Sequence, residues 1–318
     1  MRPVRTALAG ALLGALTLAG CGQSTGTAET PATPATPAPA TSAQAGGFPV
    51  TVQAGNGAVT IAKKPTKIIS LSASHTETLF AIGAGPQVLA VDDQSNYPPE
   101  VPKSDLSGYK PNAEAIIAKQ PDLVVVSNDI DGIVAALTKV GVPVLLEPAA
   151  TKLDEAYDEV ADLGAATGNA EKAGQVAADM KRQIDAIAAA APKGKNLTYL
   201  HELDSTPYSV TSSTFLGQIY SLFGLTNIAD KAPDPAGGYP KLSSEFVVKA
   251  DPDLIFLADT KCCGQSKETL AKRPGWAGLS AIKNDQVIAL DDDIASRWGP
   301  RVVDLVKVVG EAVGKASG

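Results

Sequence analysis

The sequence is short of the residues from which most protein chemistry is built. Three cysteines and two histidines stand among 318 residues, too few for a long-range disulfide framework or for a metal cage of several His and Cys ligands. His75 and His201, with Glu202 or Asp204, would give only a sparse set of ligands for a bare transition metal, and each reads as a satisfied loop histidine instead. Aromatic residues make up 5% of the chain, with two tryptophans. Positive charge is not in surplus: 27 Lys and Arg against 34 Asp and Glu leave a net charge of −7, which excludes the basic footprint of a nucleic-acid binder. No P-loop, H-E-x-x-H or C-x-x-C pattern occurs. What is present is 44% apolar content and a length suited to two domains.

The amino end carries an address. Arg2 and Arg5 precede an apolar run from Ala7 to Leu18, about 12 residues, which suits a signal peptide and is too short to span a membrane. The run ends in Leu18-Ala19-Gly20-Cys21, which resembles a bacterial lipobox and makes Cys21 the lipidated first mature residue, anchored outside the cytoplasm. Residues 22–47 are Ser, Thr, Ala, Pro and Gly, including TPATPATPAPAT, too poor in apolar bulk to fold and stiffened locally by proline. Gly22 to Gly26 match G-x-S-x-G, but no strand and helix flank the serine, so a hydrolase elbow is discarded.

From Phe48 onward the pattern alternates. FPVTV, a Gly-Asn-Gly turn and AVTIA read as a β-hairpin. Buried strands at 67–71, 87–91 and 123–127 then alternate with helices, one of them capped by Ser74, which argues a parallel sheet covered by helices. A long helix from about Glu171 to Ala190 carries Val176, Met180, Ile184 and Ile187 on one stripe. A second alternating region begins at Leu197 and ends in a helix from about Pro300 to Lys315.

The two regions share a repeat. Glu114-AIIAKQ-Pro121-Asp122-Leu123 aligns without gaps with Glu245-FVVKAD-Pro252-Asp253-Leu254, 131 residues on. Each copy reads as a short helix stopped before proline and followed by a buried strand. Asn112 and Ser243 suit N-caps, which puts Glu114 and Glu245 in first helical turns, where the macrodipole favours a negative charge. That accounts for either Glu alone; a matched pair on two lobes invites a second account.

These motifs, with SLSASHTETLFAIGAG, DDQSNYPPEV and DDDIASRWGPRVVDL, resemble the substrate-binding lipoproteins of ABC importers for ferric siderophores, haem and cobalamin, over nearly everything after Phe48. The resemblance implies an α/β fold of two Rossmann-like lobes joined by one long rigid helix, with a ligand cleft between them. The boundaries are then 1–20 signal peptide, 21–47 lipid-anchored linker, 48–168 first lobe, 169–192 connecting helix and 193–318 second lobe. It implies a binding component of a transporter rather than an enzyme, with no cofactor and no resident metal. Its partners would be a permease dimer with ATPase subunits, a small-molecule chelate and, through the anchor, a membrane. Glu114 and Glu245 take the places where the family docks onto permease arginines.

In open α/β sheets ligands sit beyond the carboxyl ends of the strands. The loops there nominate Ser74, Tyr97, Tyr109 and Asn128 from the first lobe and Tyr208, Tyr239, Arg297 and Trp298 from the second. Arg297 offers a planar donor for chelate oxygens; Arg301 reads alternatively as a structural ion-pair partner, and Trp298 as core. With aromatics scarce, a ferric siderophore ranks above cobalamin; haem, a bare metal, or an extracytoplasmic hydrolase or redox protein remain as alternatives. Cys262 and Cys263 are neighbours, their Cα atoms about 3.8 Å apart. They form either a strained vicinal disulfide or two free thiols.

Overall fold

Hydrophobic runs bounded by proline and glycine become two parallel sheets of identical strand order. The computed structural model describes residues 47–194 and 196–318; the signal peptide, Cys21 and the linker up to residue 46 lie outside the described residues. Strands β1 (Val50–Ala54) and β2 (Gly57–Ile61) form the expected antiparallel hairpin. The first lobe follows with β3 (Ile68–Ser70), helix α1 (Ala73–Ala81), β4 (Val88–Val91), α2 (Ala113–Ala118), β5 (Leu123–Val126), α3 (Ile133–Thr138) and β6 (Val144–Leu146). Helix α4 (Leu153–Thr167) and the 21-residue α5 (Ala170–Ala190) then lead to the second lobe. There β7 (Thr198–Glu202), α6 (Phe215–Ser221), β8 (Thr226–Asn227), α7 (Ser244–Ala250) and β9 (Leu254–Leu257) are followed by α8 (Thr260–Cys263), α9 (Lys267–Ala271), α10 (Ser280–Lys283), β10 (Val287–Ala289), α11 (Asp292–Ala295) and α12 (Val302–Ser317).

The sheets read β4-β3-β5-β6 and β8-β7-β9-β10, all pairs parallel. In each lobe the second strand lies outside the first and the third and fourth follow on the other side, so the sequence repeat, α2-β5 against α7-β9, falls on equivalent elements. The repeat also has a structural reason. The Asp122 carboxylate accepts the backbone N–H of Lys67 at 2.9 Å and of Thr66 at 3.1 Å, just ahead of β3. Asp253 accepts the N–H and hydroxyl of Thr198, the first residue of β7, both at 2.8 Å. Each aspartate fastens the third strand of its sheet to the first. The residue before each repeat proline, Gln120 at φ 52° and Asp251 at φ 46°, turns left-handed, which is how the chain leaves the helix when proline excludes the α region.

Three apolar cores result. One is private to the first lobe, under Ile69, Val124 and Leu137. One is private to the second, around Leu200, Ile255 and Trp276. The third is common: Ile68 and Leu123 of the first sheet and Tyr199, Leu254 and Phe256 of the second belong to one cluster with α4, α5 and α12. On α5, Ala173, Met180 and Ile184 are buried, with Val176 and Ile187 packed partly against them; fully burying such side chains contributes about 1.5–3 kcal/mol each. Among the described residues no helix is long and apolar enough to cross a membrane.

Burial acts to raise the Asp122 pKa, but the bonds from Lys67 and Thr66 outweigh it and hold the carboxyl below its usual range. Its stabilisation is therefore complete above the unfolded value of about 3.9 and is lost as pH falls through the lower native value. Asp122→Asn should cost about 1–3 kcal/mol in urea unfolding at neutral pH, and the gap to the parent should narrow at about pH 3.

Candidate functional site

The carboxyl ends of the first sheet open onto a recess walled on its far side by the second lobe. Leu71 to Ser74 follow β3, Asp92 and Gln94 follow β4, and Ser127 and Asn128 follow β5; Gly108 and Tyr109 add a loop. Across from them stand Asp293, Ser296, Arg297 and Trp298, from α11 and the turn into α12. The recess measures about 150 Å³. Two glycines let its walls approach. A Cβ on Gly108 would strike the Leu71 carbonyl, and one on Gly299 would lie 3.0 Å from the Ser74 carbonyl across the lobe boundary.

Asp92, on the lining, is tied to a chain of hydroxyls: Ser95 donates to its carboxylate, Ser95 Oγ also lies 2.8 Å from Thr76 Oγ1, and Thr76 donates to Ser70 at 2.9 Å. Burial raises the Asp92 pKa, and the Ser95 bond only partly opposes it. Behind the wall, Trp298 Nε1 donates to Glu159 Oε2 at 2.7 Å, and the same oxygen lies 3.1 Å from His75 Nε2.

One buried carboxylate holds the lobes together. Glu77 on α1 is 3% exposed and accepts Arg297 Nη1 at 2.6 Å and Arg301 Nε at 2.9 Å. Arg297 also donates to Asn96 Oδ1 at 2.9 Å and to the Gln94 carbonyl and Asp293, each at 3.0 Å. Arg301 lies 4.0 Å over the Tyr97 ring. Sequence reasoning missed Glu77, which sits among the polar residues Ser74, His75, Thr76 and Thr78 of α1.

The nominated residues divide accordingly. Ser74, Tyr109, Asn128, Arg297 and Trp298 line the recess. Arg297 lines it with a guanidinium already committed to protein acceptors, so the expectation of a free donor for ligand oxygens is corrected. Tyr97 is drawn away by Arg301 into a groove between α1, α5 and α12. Tyr208, beside Lys241 at 5.7 Å, and Tyr239, 49% exposed, do not line it. Ser74, expected as a cap, lies inside α1, and Ser72 holds the N-cap position. Neither histidine is on a loop: His75 is in α1 and His201 in β7, bonded through Nδ1 to the Tyr220 hydroxyl at 2.7 Å. Burial pushes the His201 pKa down to about 3. Beside β7, Glu202 is clamped by Arg273 through two 2.6 Å bonds, and burial with the Glu202 charge holds the Asp259 carboxyl above its usual range. Cys262 and Cys263 are joined in a vicinal disulfide on exposed α8, whose first N–H groups are held by Asp292.

Glu114 and Glu245 are exposed in the first turns of α2 and α7, with the Asn112 and Ser243 side chains capping as expected. A helix that follows a strand in a parallel sheet starts at the carboxyl edge of that sheet, so both stand at the carboxyl edges of their sheets. Neither makes an ion pair among the described residues.

A family model described as periplasmic binding protein matches residues 68–294. The chain belongs to the periplasmic binding protein family. Among its relatives is the uncharacterised ABC transporter substrate-binding lipoprotein YvrC of Bacillus subtilis, 31% identical over 314 residues, 95% of this chain and 94% of the relative. A cobalamin-binding protein of Halobacterium salinarum is 28% identical over 268 residues, covering 81% of this chain and 72% of its own. The crystal structure of a possible iron-binding, periplasmic solute-binding protein of Staphylococcus epidermidis matches with a TM-score of 0.68 at 27% identity, over 79% of this chain and 99% of that one. This periplasmic binding protein is thus an extracytoplasmic solute-binding component with the two-lobed α/β fold, and not an enzyme.

Removing one partner of a buried ion pair leaves the other charge uncompensated, a loss of about 3–5 kcal/mol. Glu77→Ala should lower stability by that order in urea unfolding, whereas Tyr97→Ala, which removes only an exposed stacking face, should cost about 1 kcal/mol or less.

Proposed function

We propose that this binding protein captures an uncharged, amide-rich metal chelate, a corrinoid in the first place, and delivers it to an ABC permease. The observation that carries the reading is that, among the described residues, no cation free of protein partners lines the recess. Among the described residues Arg297 is the one basic residue lining it, and Glu77, Asn96, Gln94 and Asp293 take up the donors of its two terminal nitrogens. Its acidic lining residues are the buried Asp92 and Asp293, the latter paired with Arg297 and Lys261. Carboxylate-bearing haem or an anionic catecholate chelate would lose hydration there without an ionic partner, whereas hydroxyls and amides of Ser72, Ser74, Gln94, Ser127 and Asn128 suit carbonyl and amide edges. The relative named as cobalamin-binding supports this order. Aromatic scarcity had favoured a ferric siderophore, yet Trp298 and the 70% exposed Tyr109 do flank the recess. A neutral ferric hydroxamate is the second reading, supported by the likeness to the possible iron-binding structure. A recess of 150 Å³ admits only one edge of either guest, so the rest lies over its mouth, on Tyr109.

Delivery rests on Glu114 and Glu245, two unpaired carboxylates on equivalent tips of pseudo-symmetric lobes. Each suits an arginine of a two-fold permease. Lipidation at Cys21 would hold the domain at the membrane, with the proline-rich linker as spacer.

Tryptophan fluorescence of the purified protein should respond saturably to cyanocobalamin and, more weakly, to a neutral ferric hydroxamate, with haemin and a ferric catecholate weaker still. Tighter binding of haemin would overturn the charge argument. Glu114→Ala with Glu245→Ala should leave that titration unchanged while uptake by cells drops at least about tenfold, since contacts of this kind set docking register and rate; undiminished uptake would remove their role.

A further inference from the structure

Outside the cleft, the strongest concentration of charge lies where β6 meets α4. Glu155, Asp158, Glu159 and Asp162 follow at intervals of three, one and three residues, which places four carboxylates on one helix face. Like charges at this spacing repel. They wall a recess of about 310 Å³, and the opposite wall is Glu147, just beyond β6. Among the described residues no basic side chain lines it. At its rim Lys152 lies 3.7 Å from Glu155, and the His75 ring is 3.1 Å from Glu159.

Glu147 is the second observation. It is 5% exposed, and its Oε1 has no hydrogen-bond partner. An unpaired carboxylate in such a place is costly unless it is neutralised.

We infer that this recess binds a hydrated divalent cation, Mg²⁺ or Ca²⁺, held between Glu147 and the acidic face of α4. Hard cations take oxygen ligands, and Mg²⁺ in particular keeps several waters. Among the described residues no three carboxylates converge on one bare ion, so the ion is held through its water. Six waters at about 30 Å³ each fill roughly 180 Å³, which the recess accommodates. The site is wired to the cleft, because the Glu159 oxygen that accepts Trp298 Nε1 belongs to a carboxylate facing the ion. Cation occupancy therefore alters the surroundings of the one indole in the ligand recess.

Calorimetric titration of the full-length protein with MgCl₂ and CaCl₂, and terbium luminescence sensitised through Trp298, test this. Expected is one saturable site with a dissociation constant at or below about 1 mM, the range of extracellular calcium modules. Glu147→Gln should weaken it by about tenfold, equivalent to one carboxylate partner lost. Asp158→Asn, on an exposed position that cannot threaten the fold, should also weaken it, and Glu311→Gln, exposed on α12, should not. No saturable binding of either ion up to about 10 mM, or equal affinity in the Glu147→Gln and Asp158→Asn variants, would overturn the assignment.

Discussion

The arrangement depends on a carboxylate that would be intolerable alone. Glu77 is buried on α1 of the first lobe, and both cations that neutralise it come from the turn into α12 of the second. Desolvating such a group is costly unless partners are held in good geometry. That requirement converts a local electrostatic problem into a constraint on how the lobes meet. Arg297 extends it to Gln94 and Asn96, the loop that also contributes to the ligand recess. The same arginine therefore belongs both to the lobe contact and to the lining of the recess, where its terminal N–H groups are turned to protein acceptors.

Duplication supplies the rest of the frame. Two sheets with one strand order, two aspartates fastening third strand to first, and two left-handed residues before proline show the same solution used twice. The copies diverge at the recess. In the first lobe the loops beyond β3, β4 and β5 form the recess; in the second, α11 and the turn after it form the wall. In the second lobe the ground beyond β7 is occupied instead by the Glu202–Arg273 pair, which ties that strand to the turn after α9.

Much of this was legible in the chain. Alternating strand and helix patterns, the repeat, the Asn112 and Ser243 caps and the stripe on α5 all follow from local periodicity and turn chemistry, which act over a few residues. Contacts between distant segments were harder to read. Arg301 was legible as an ion-pair partner, but its acid lies more than two hundred residues away on α1, and no local pattern carries that pairing. β8, two residues long, has too few side chains to show a period. Tyr97, Tyr208 and Tyr239 were nominated because tyrosine after a strand suits a binding loop. Loop paths, set by Arg301 and Lys241 among others, place them elsewhere.

The common core has a consequence for the molecule's history. Two halves with matching blueprints would be expected to stand alone if separated. Here α4, α5 and α12 run into a single interior shared by both sheets, so severing the chain ahead of α5 would strip an oily flank from each fragment. What reads as a doubled unit has been welded into an indivisible one, its two sides bound by an interior that neither owns.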